Sequence, residues 1–499
     1  MNDTKTDNVR TSTDELKDIQ GGLIGFNKSH ERLLFVNFNS PEAAKQFLGA
    51  LTSQLANGLE VKKFNEAFSE NRSHGGDPEA LQSTWVNVWL SRTGLATLGA
   101  TGLENFPPEF SGGMGARAQL VGDVGPSAPE LWQGPFAGGA EPHAVILVAG
   151  DNLTDLDARR ISIEALVSVH GAVIIGMQEG EARPSPFHGH EHFGFKDGVS
   201  QPGIEQLTKA GKGGIVPRGE VLVGYTDATG AVSGEAAGTP APVPSAYDPT
   251  PQQPPSMPLP SWARNGSFVV YRKLRQDVAA FQSSMEAQAS AIGLTPAQLA
   301  AKVVGRWPSG APLVKVPGCP AHVDPTATDP SVEHPAILKE GNINAFDFSK
   351  DSEGTAVPRA SHIRKMNPRA DTLPDGDTAT KHRMVRRGIT YGPEFQPGET
   401  PYGQTVPDAQ DRGLLFVNYQ SSIARTFEFV QSRWANREDF QQAGDGKDPI
   451  ISQDSPDGPF NIPGHGSVTF ARWVVTVGGG YFFSPSISGL REICTPSNN

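Results

Sequence analysis

The residues most able to do chemistry lie in HGHEHFGFKDGVSQP, residues 188 to 202. His188, His190 and His192 alternate, so on a β-strand they would share one face, and convergent imidazoles suit a Zn²⁺ or Cu²⁺ ion. The alternative is a polar, glycine-broken loop whose histidines only form hydrogen bonds. Asp197, between a lysine and a glycine, offers a carboxylate that can take up and return a proton. The stretch therefore predicts either a metal site or an acid–base aspartate.

A second candidate is His362 in RASHIRKMNPRA, residues 359 to 370, where three arginines and a lysine surround it. Dense positive charge disfavours a protonated imidazole, and so favours a neutral ring that can bind a metal. The same cations, Arg369 among them, suit an anionic ligand such as a carboxylate or phosphate group. The alternative is a basic loop that simply faces water.

Another basic stretch, KHRMVRRGITYG (residues 381 to 392), precedes the apolar Leu414 and Phe416 of GLLFVNY. An arginine beside apolar side chains can stabilise negative charge in a dry pocket. The alternative is again a solvated strand end.

Composition excludes several classes of protein. The net charge of −12 argues against a nucleic-acid partner, which requires a basic surface. No apolar run approaches the roughly 20 residues that span a bilayer, so no membrane segment is expected. The polar N-terminus has no signal-peptide pattern, which predicts an intracellular or already processed chain. Two cysteines, Cys319 and Cys494, provide no disulfide framework, and whether they pair with each other is left open.

An internal similarity indicates the elements that must position these residues. ERLLFVNFNSPEAAKQFLGAL starts at Glu31, and DRGLLFVNYQSSIARTFEFVQSRW starts at Asp411. Each has a strand-like LLFVN core, a polar turn and a helix-like pattern, which predicts two related α+β domains. Further strand-then-helix units start at Thr84, His143 and Gly266. We therefore expect two related ferredoxin-like domains with antiparallel sheets and peripheral helices.

The expected boundaries follow composition. Residues 1–17 are predicted to be a disordered tail and residues 18–226 an N-terminal ferredoxin-like domain. A connection rich in Pro, Ala and Gly covers residues 227–262. Residues 263–499 are predicted to form the C-terminal domain.

The motifs EHFGFKDGVSQP, SHIRKMNPR and VRRGITYG together resemble the dye-decolorizing peroxidase family, and its fungal members in particular. The stretches DIQGGLIGF, GRWPSGAP and DRGLLFVNYQS are also similar to that family. The resemblance implies that Asp197 is the aspartate of the G-x-x-D-G signature and that His362 is the haem ligand. It also implies that Arg386 is the distal arginine, with Arg387 as the alternative. One departure is AVPRASHIR, where fungal members usually have Cys-Pro shortly before the histidine.

The same resemblance implies a b-type haem in the C-terminal domain, which is predicted to bind it between sheet and helices. His362 would be its metal ligand, with a carboxylate on the second ring nitrogen: Asp448, or Asp445 as the rival. Arg369 is a candidate partner for a haem propionate.

The implied activity is the oxidation of dyes, phenols and other aromatic substrates by hydrogen peroxide, in one-electron steps. Leu414 and Phe416 would wall the pocket, so bulky dyes would need an electron relay. Tyr391 is the first candidate, because its odd spacing from Arg386 on a strand would turn it towards solvent; Trp434 is the alternative. The resemblance also implies an extracellular protein, acting as a monomer or homodimer.

Two other classes of function stay open from the residues alone. One is a non-haem metal-dependent hydrolase built on His188, His190 and His192. The other is a non-catalytic ferredoxin-like binding protein, because a fold does not fix a function.

Overall fold

The computed structural model describes residues 13–77, 80–209, 213–234, 258–317, 343–369, 371, 373, 378–396, 407–454 and 458–495. The strands are β1 His30–Phe38, β2 Thr84–Leu90, β3 Ala144–Gly150, β4 Ala172–Glu181, β5 Gly203–Ile204, β6 Ile215–Val216, β7 Ser267–Gln276, β8 Val385–Arg386, β9 Ile389–Tyr391, β10 Gly413–Gln420, β11 Pro459–Ile462, β12 Gly466–Thr469 and β13 Val474–Ser484. The α-helices are α1 Pro41–Thr52, α2 Gly58–Ser73, α3 Arg92–Leu98, α4 Pro108–Ala116, α5 Ala118–Val121, α6 Leu153–Val169, α7 Val278–Ala289, α8 Pro296–Val304, α9 His362–Met366 and α10 Ile487–Cys494.

The first LLFVN segment folds as expected, as a strand followed by a helix. It forms β1, which is buried along almost its whole length, and then α1. Ser40 caps α1 by accepting a hydrogen bond from the backbone of Ala43, and Pro41 occupies the first turn. Phe47 and Leu48 lie about one turn before Leu51, and all three side chains face the core.

The second LLFVN segment forms β10, but the helix after it differs from an ordinary α-helix. Residues Ala424–Glu428 and Val430–Ala435 are π-helical. Such segments are rare in proteins and are often found at functional sites. This one contributes Phe427 and Val430 to the large cavity described below.

The two halves repeat one antiparallel strand order. The strands run β4-β1-β3-β2 in the first half and β13-β7-β10-β8 in the second, with β9 paired to β10. Numbered within its own half, each set has the order 4-1-3-2, which is the ferredoxin-like arrangement. The predicted α+β fold class with antiparallel sheets is confirmed. The sheets are not separate, however, because Leu90 of β2 pairs with Phe483 of β13 and joins them into nine strands.

The joined sheet curves until its ends meet. β4, at one end, contacts β9 near the other, and the Thr390 hydroxyl donates to the Glu181 carbonyl. Closure of this kind covers sheet edges that would otherwise offer unpaired backbone groups. The helices pack outside, with α6 against β3 and β4, and α7 and α8 in a smaller core of the second half.

The predicted boundaries need two corrections. Residues 13–18 are helical and Leu16 is buried in the main core, so order begins before residue 18. At the end of the predicted connection, Trp262 is buried and donates its indole N–H to the Thr101 carbonyl. An apolar side chain that can reach a core becomes part of it, whatever the composition around it. Residues 235–257 of that connection lie outside the described part of the chain.

Candidate functional site

One large cavity, of about 450 Å³, lies between the sheet and the helices of the second half. Arg386 of β8 and Leu414 and Phe416 of β10 line it from the sheet, and His362 of α9 lines it from the helical side. Asp197, on the loop that follows the histidine run, also lines it. Residues that are far apart in the sequence are therefore brought to one cavity.

The His362 ring is held by a buried carboxylate. Its Nδ1 donates to Oδ2 of Asp448 over 2.8 Å, and Asp448 is fully buried. The other Asp448 oxygen accepts from the backbone N–H groups of Ile450 and Ile451. Asp445, the alternative partner for the His362 ring, instead contacts Arg359 at 3.4 Å. With Nδ1 engaged, Nε2 is the His362 nitrogen available to a metal, and it has no hydrogen-bond partner among the described residues.

Asp197 sits on a tight turn supported by the histidine run. Its backbone N–H donates to the Gly189 carbonyl at 2.9 Å, and the backbones of Lys196 and His190 form an isolated antiparallel β-bridge. Gly198 has a φ of 67°, which a side chain there would disfavour. Oδ1 of Asp197 accepts the Gly198 N–H at 2.6 Å, while the side chain stays accessible from the cavity.

The prediction of a metal site on the histidine run is wrong. The stretch is a series of turns rather than a strand, so its histidines do not share a face. His188 is exposed, His190 is buried near the His188 carbonyl, and His192 is buried with Nε2 at 2.9 Å from the Tyr391 carbonyl. Burial lowers the pKa of His192 to about 4. Within the described ranges, no cluster of three metal-binding side chains occurs.

The two adjacent arginines have different surroundings. The Arg387 guanidinium donates to the carbonyls of Leu23 and Ile24, each at 2.9 Å, and to that of Arg386 at 3.0 Å. The Arg386 side chain makes no hydrogen bond within the described residues, and its backbone N–H is held by Gln201. Although both border the cavity, Arg386 has its guanidinium available for a ligand.

Further arginines make the cavity suitable for an anionic ligand. Arg306, Arg369 and Arg383 line it together with Arg386. Burial, with the charges of Arg369 and Arg386, lowers the pKa of Arg306 to about 9; burial and Arg386 lower that of Arg383 to about 10. These groups still carry their charge at neutral pH and repel one another. A ligand with carboxylates would relieve this repulsion.

The residues that line the cavity match what a haem requires of its binding site. A haem needs a neutral nitrogen ligand, a largely apolar cavity and cations for its two propionates. His362 supplies the nitrogen, and Arg369 is already oriented by hydrogen bonds to the carbonyls of Asn344 and Phe346. The residues present therefore fit the group.

The prediction that Tyr391 faces solvent is wrong. Tyr391 pairs with Gly413 of β10, and Arg386 pairs with Asn418, five positions further along the same strand. The two side chains therefore do lie on opposite faces of the sheet. The face that carries Tyr391 is covered, however, and Tyr391 is only 2% exposed. Trp434, the alternative, is equally buried. Period-two alternation separates the faces of a strand but does not tell which of them other elements cover.

The Tyr391 hydroxyl and ring both contact charged side chains. The hydroxyl donates to Oδ1 of Asp411 at 3.0 Å. The Lys273 ammonium lies 4.7 Å from the centre of the ring. Burial and Asp411 raise the pKa of Tyr391 well above its usual range.

The two basic stretches are not solvated loops. Arg364 and Lys365 are buried beside His362, and His382 is buried in the second stretch. The sequence did not predict that Arg306 and Arg383 line the cavity, although Arg306 lies in the family-like stretch GRWPSGAP and Arg383 in the second basic stretch. Cys319 lies outside the described residues, so its pairing with Cys494 stays an open prediction.

The fold and the cavity define a member of the α+β barrel class with a histidine-centred, arginine-lined pocket. Two family models match: the DyP dimeric alpha+beta barrel domain over residues 18–184 and the Dyp-type peroxidase C-terminal domain over residues 222–444. The chain belongs to the dye-decolorizing peroxidase family. Its members are oxidoreductases that use hydrogen peroxide, and this protein is an enzyme of that kind.

Individual relatives agree over nearly the whole chain. Peroxidase 2 of Mycetinis scorodonius is 31% identical, over 96% of this chain and 87% of that protein. The solved structure of an ancestral D-type dye decolorizing peroxidase is 32% identical with a TM-score of 0.77, covering 96% of this chain and 99% of the other. A dye-decolorizing peroxidase in complex with 2,6-dimethoxyphenol is 30% identical with a TM-score of 0.76 and the same coverage.

The hydrolase and the non-catalytic binding protein are not supported. The histidine run does not form a metal site, and the similarity covers both peroxidase domains. In the described residues, no helix is sufficiently long and apolar to cross a membrane.

Proposed function

We propose that this protein is a haem b peroxidase that oxidises dyes, phenols and other aromatic molecules with hydrogen peroxide. One observation carries the proposal: His362, paired with the buried Asp448, lines the same cavity as Asp197 and Arg386. This combination offers a metal ligand, a proton carrier and a fixed positive charge. An aryl substrate class is supported by the relative bound to 2,6-dimethoxyphenol.

His362 would bind the haem iron through Nε2, while Asp448 keeps the proton on Nδ1 and increases the basicity of the ring. Arg369, with Arg383, would receive the propionates, while the Arg306 guanidinium is held by the Gly310 and Ile343 carbonyls and the Asn344 side chain. When bound, haem supplies the redox chemistry of peroxide reduction and of one-electron substrate oxidation.

Asp197 and Arg386 would act on the peroxide itself. Asp197 takes a proton from one oxygen of hydrogen peroxide as a base and returns it to the other oxygen as an acid. Arg386 stabilises the hydroperoxide anion and the charge that develops as the O–O bond breaks. Because the Arg387 side chain is committed to three carbonyls, Arg386 is the better candidate for this role.

Leu414 and Phe416 lie on one face of β10 and would admit peroxide while excluding bulky dyes. Larger substrates would then give up electrons at the protein surface. Tyr391 is retained as an internal relay with Asp411 as its proton acceptor, and not as the surface site. An extracellular location and a monomeric or homodimeric state stay predictions from the family resemblance.

The absorption spectrum of the haem-loaded protein and of His362→Ala tests the proposal. The parent should show a Soret band, and the variant should fold but bind little or no haem, because the iron loses its protein ligand. Circular dichroism of both proteins checks folding independently of haem. A normal Soret band and normal haem content in folded His362→Ala would exclude His362 as the ligand.

A further inference from the structure

Lys365 is a buried lysine for which the proposed chemistry gives no use. It lies on α9, three residues after His362, and its side chain is fully enclosed. Its ammonium donates to the carbonyls of Arg437 (2.7 Å), Phe440 (2.6 Å) and Gly446 (2.5 Å). An ammonium has three N–H donors, so all of them are used.

The three acceptors belong to one loop, residues 436–448, which we call the Asp448 loop. The loop starts after the π-helical segment Val430–Ala435 and ends at the carboxylate that holds His362. The Asp448 N–H donates back to the Ala435 carbonyl at 2.9 Å, which closes the loop at its base. Lys365 therefore occupies the interior of the loop that carries Asp448.

Two side chains of α9 form hydrogen bonds with this loop. His362 binds Asp448 at the end of the loop, and Lys365, on the next turn of the helix, binds its interior. The loop has few alternatives for its shape, because its carbonyls would be buried and unpaired without the ammonium. A buried ammonium is itself costly, and its three hydrogen bonds offset that cost only while the loop keeps this shape. A buried lysine at this position is therefore explained if the protein requires the loop to hold Asp448 in a fixed place.

We propose that Lys365 is a positioning residue that holds Asp448 against His362 and thereby keeps the reduction potential of the haem iron low. The inference rests on the proposed role of His362 as iron ligand. A strong hydrogen bond from Nδ1 to a carboxylate gives the ring more anionic character, which favours the ferric over the ferrous state. Loosening the loop would weaken that hydrogen bond and raise the potential.

The test compares the ferric/ferrous reduction potential of the haem-loaded parent, Lys365→Met and Asp448→Asn. We expect Lys365→Met to raise the potential towards that of Asp448→Asn. The iron–histidine stretching frequency of the ferrous form should fall in both. In a Lys365→Met/Asp448→Asn double variant no further shift is expected, because the contact is already lost. Lys365→Gln, which keeps two N–H donors, should shift less and serves if the methionine variant does not fold.

Lys302→Met is the matched control. Lys302 is also a buried lysine that donates to carbonyls, those of Thr355 (2.8 Å) and Ala356 (3.4 Å), but these do not belong to the Asp448 loop. The Lys302→Met variant should lose comparable stability without any rise in the potential, because loss of a positive charge alone favours the ferric state.

An unchanged potential in folded Lys365→Met would overturn the proposal. A lower potential would overturn it as well, since removing a nearby positive charge without moving Asp448 favours the ferric state. A parent protein that binds no haem would instead contradict the proposed function.

Discussion

Arg386 and Arg387 are consecutive, yet the Arg387 guanidinium is bonded to three backbone carbonyls while the Arg386 side chain makes no hydrogen bond in the described part of the chain. Two of those carbonyls, of Leu23 and Ile24, belong to the first half of the chain. Arg387 thus ties the two halves together, and Arg386 borders the cavity with an available positive charge.

Replacing each arginine by leucine should therefore have different effects. Arg386→Leu should slow the reaction with hydrogen peroxide by about 10²–10³-fold, the usual effect of losing one fixed charge-stabilising donor. Its stability should change little. Arg387→Leu leaves buried carbonyls unpaired and should cost on the order of 3 kcal/mol in the free energy of unfolding. Stopped-flow kinetics and denaturant unfolding of both variants measure the two quantities, and interchanged results would assign the catalytic role to Arg387.

Asp197→Asn should slow the peroxide reaction by roughly 10²–10⁴-fold, because an amide cannot accept the proton. The amide keeps an oxygen for the Gly198 N–H, so the turn should survive. Asp157→Asn is a control, since Asp157 contacts Arg160 at 3.1 Å on α6 and does not line the cavity. Stopped-flow rates that equal those of the parent would remove Asp197 from the mechanism.

Tyr391→Phe should lower the turnover of bulky dyes while small phenols that enter the cavity keep their rates. Asp411→Asn should have the same selective effect, because a tyrosine that stays protonated must release its proton when it is oxidised, and Asp411 is its acceptor at 3.0 Å. Tyr271→Phe is the matched control, as Tyr271 is equally buried but packs against Phe35 and Phe136. Equal losses on both substrate classes would indicate structural damage, and no loss would exclude the relay.

Glu31 should make the protein less stable as the pH rises. It lines the cavity, and burial raises its pKa to about 8. From about pH 4.5 to about pH 8 the folded protein keeps a proton that the unfolded chain has released, so stability falls with pH in this window. His192 opposes this trend below about pH 6.5, because its lowered pKa makes stability rise with pH there.

Glu31→Gln isolates the contribution of Glu31. From pH 5 to pH 8 the variant should gain stability relative to the parent, by at most about 1.4 kcal/mol per pH unit. Denaturant unfolding at several pH values measures the difference. Parallel pH profiles for the two proteins would show that Glu31 ionises normally in the folded state.

The sequence by itself determined the local elements and the fold class. The two LLFVN segments gave β1 and β10, since apolar, β-branched and aromatic runs between polar turns favour strands. The order of the motifs indicated the family, which the matches over both domains confirm. The residue types near His362 and Asp197 left several chemistries open, and the resemblance of the motifs to the family selected one of them.

Only the tertiary structure decided which of these residues meet and which are covered. Asp448 reaches His362 across 86 residues of sequence, and Asp445, three positions earlier, does not. Turns prevent the histidines from sharing a face, and packing on the far side of β9 buries Tyr391. Local periodicity reports the two faces of a segment. Which face is buried, and which distant group it contacts, depends on how the whole chain closes on itself, because burial and hydrogen bonding are satisfied between elements that are remote in sequence.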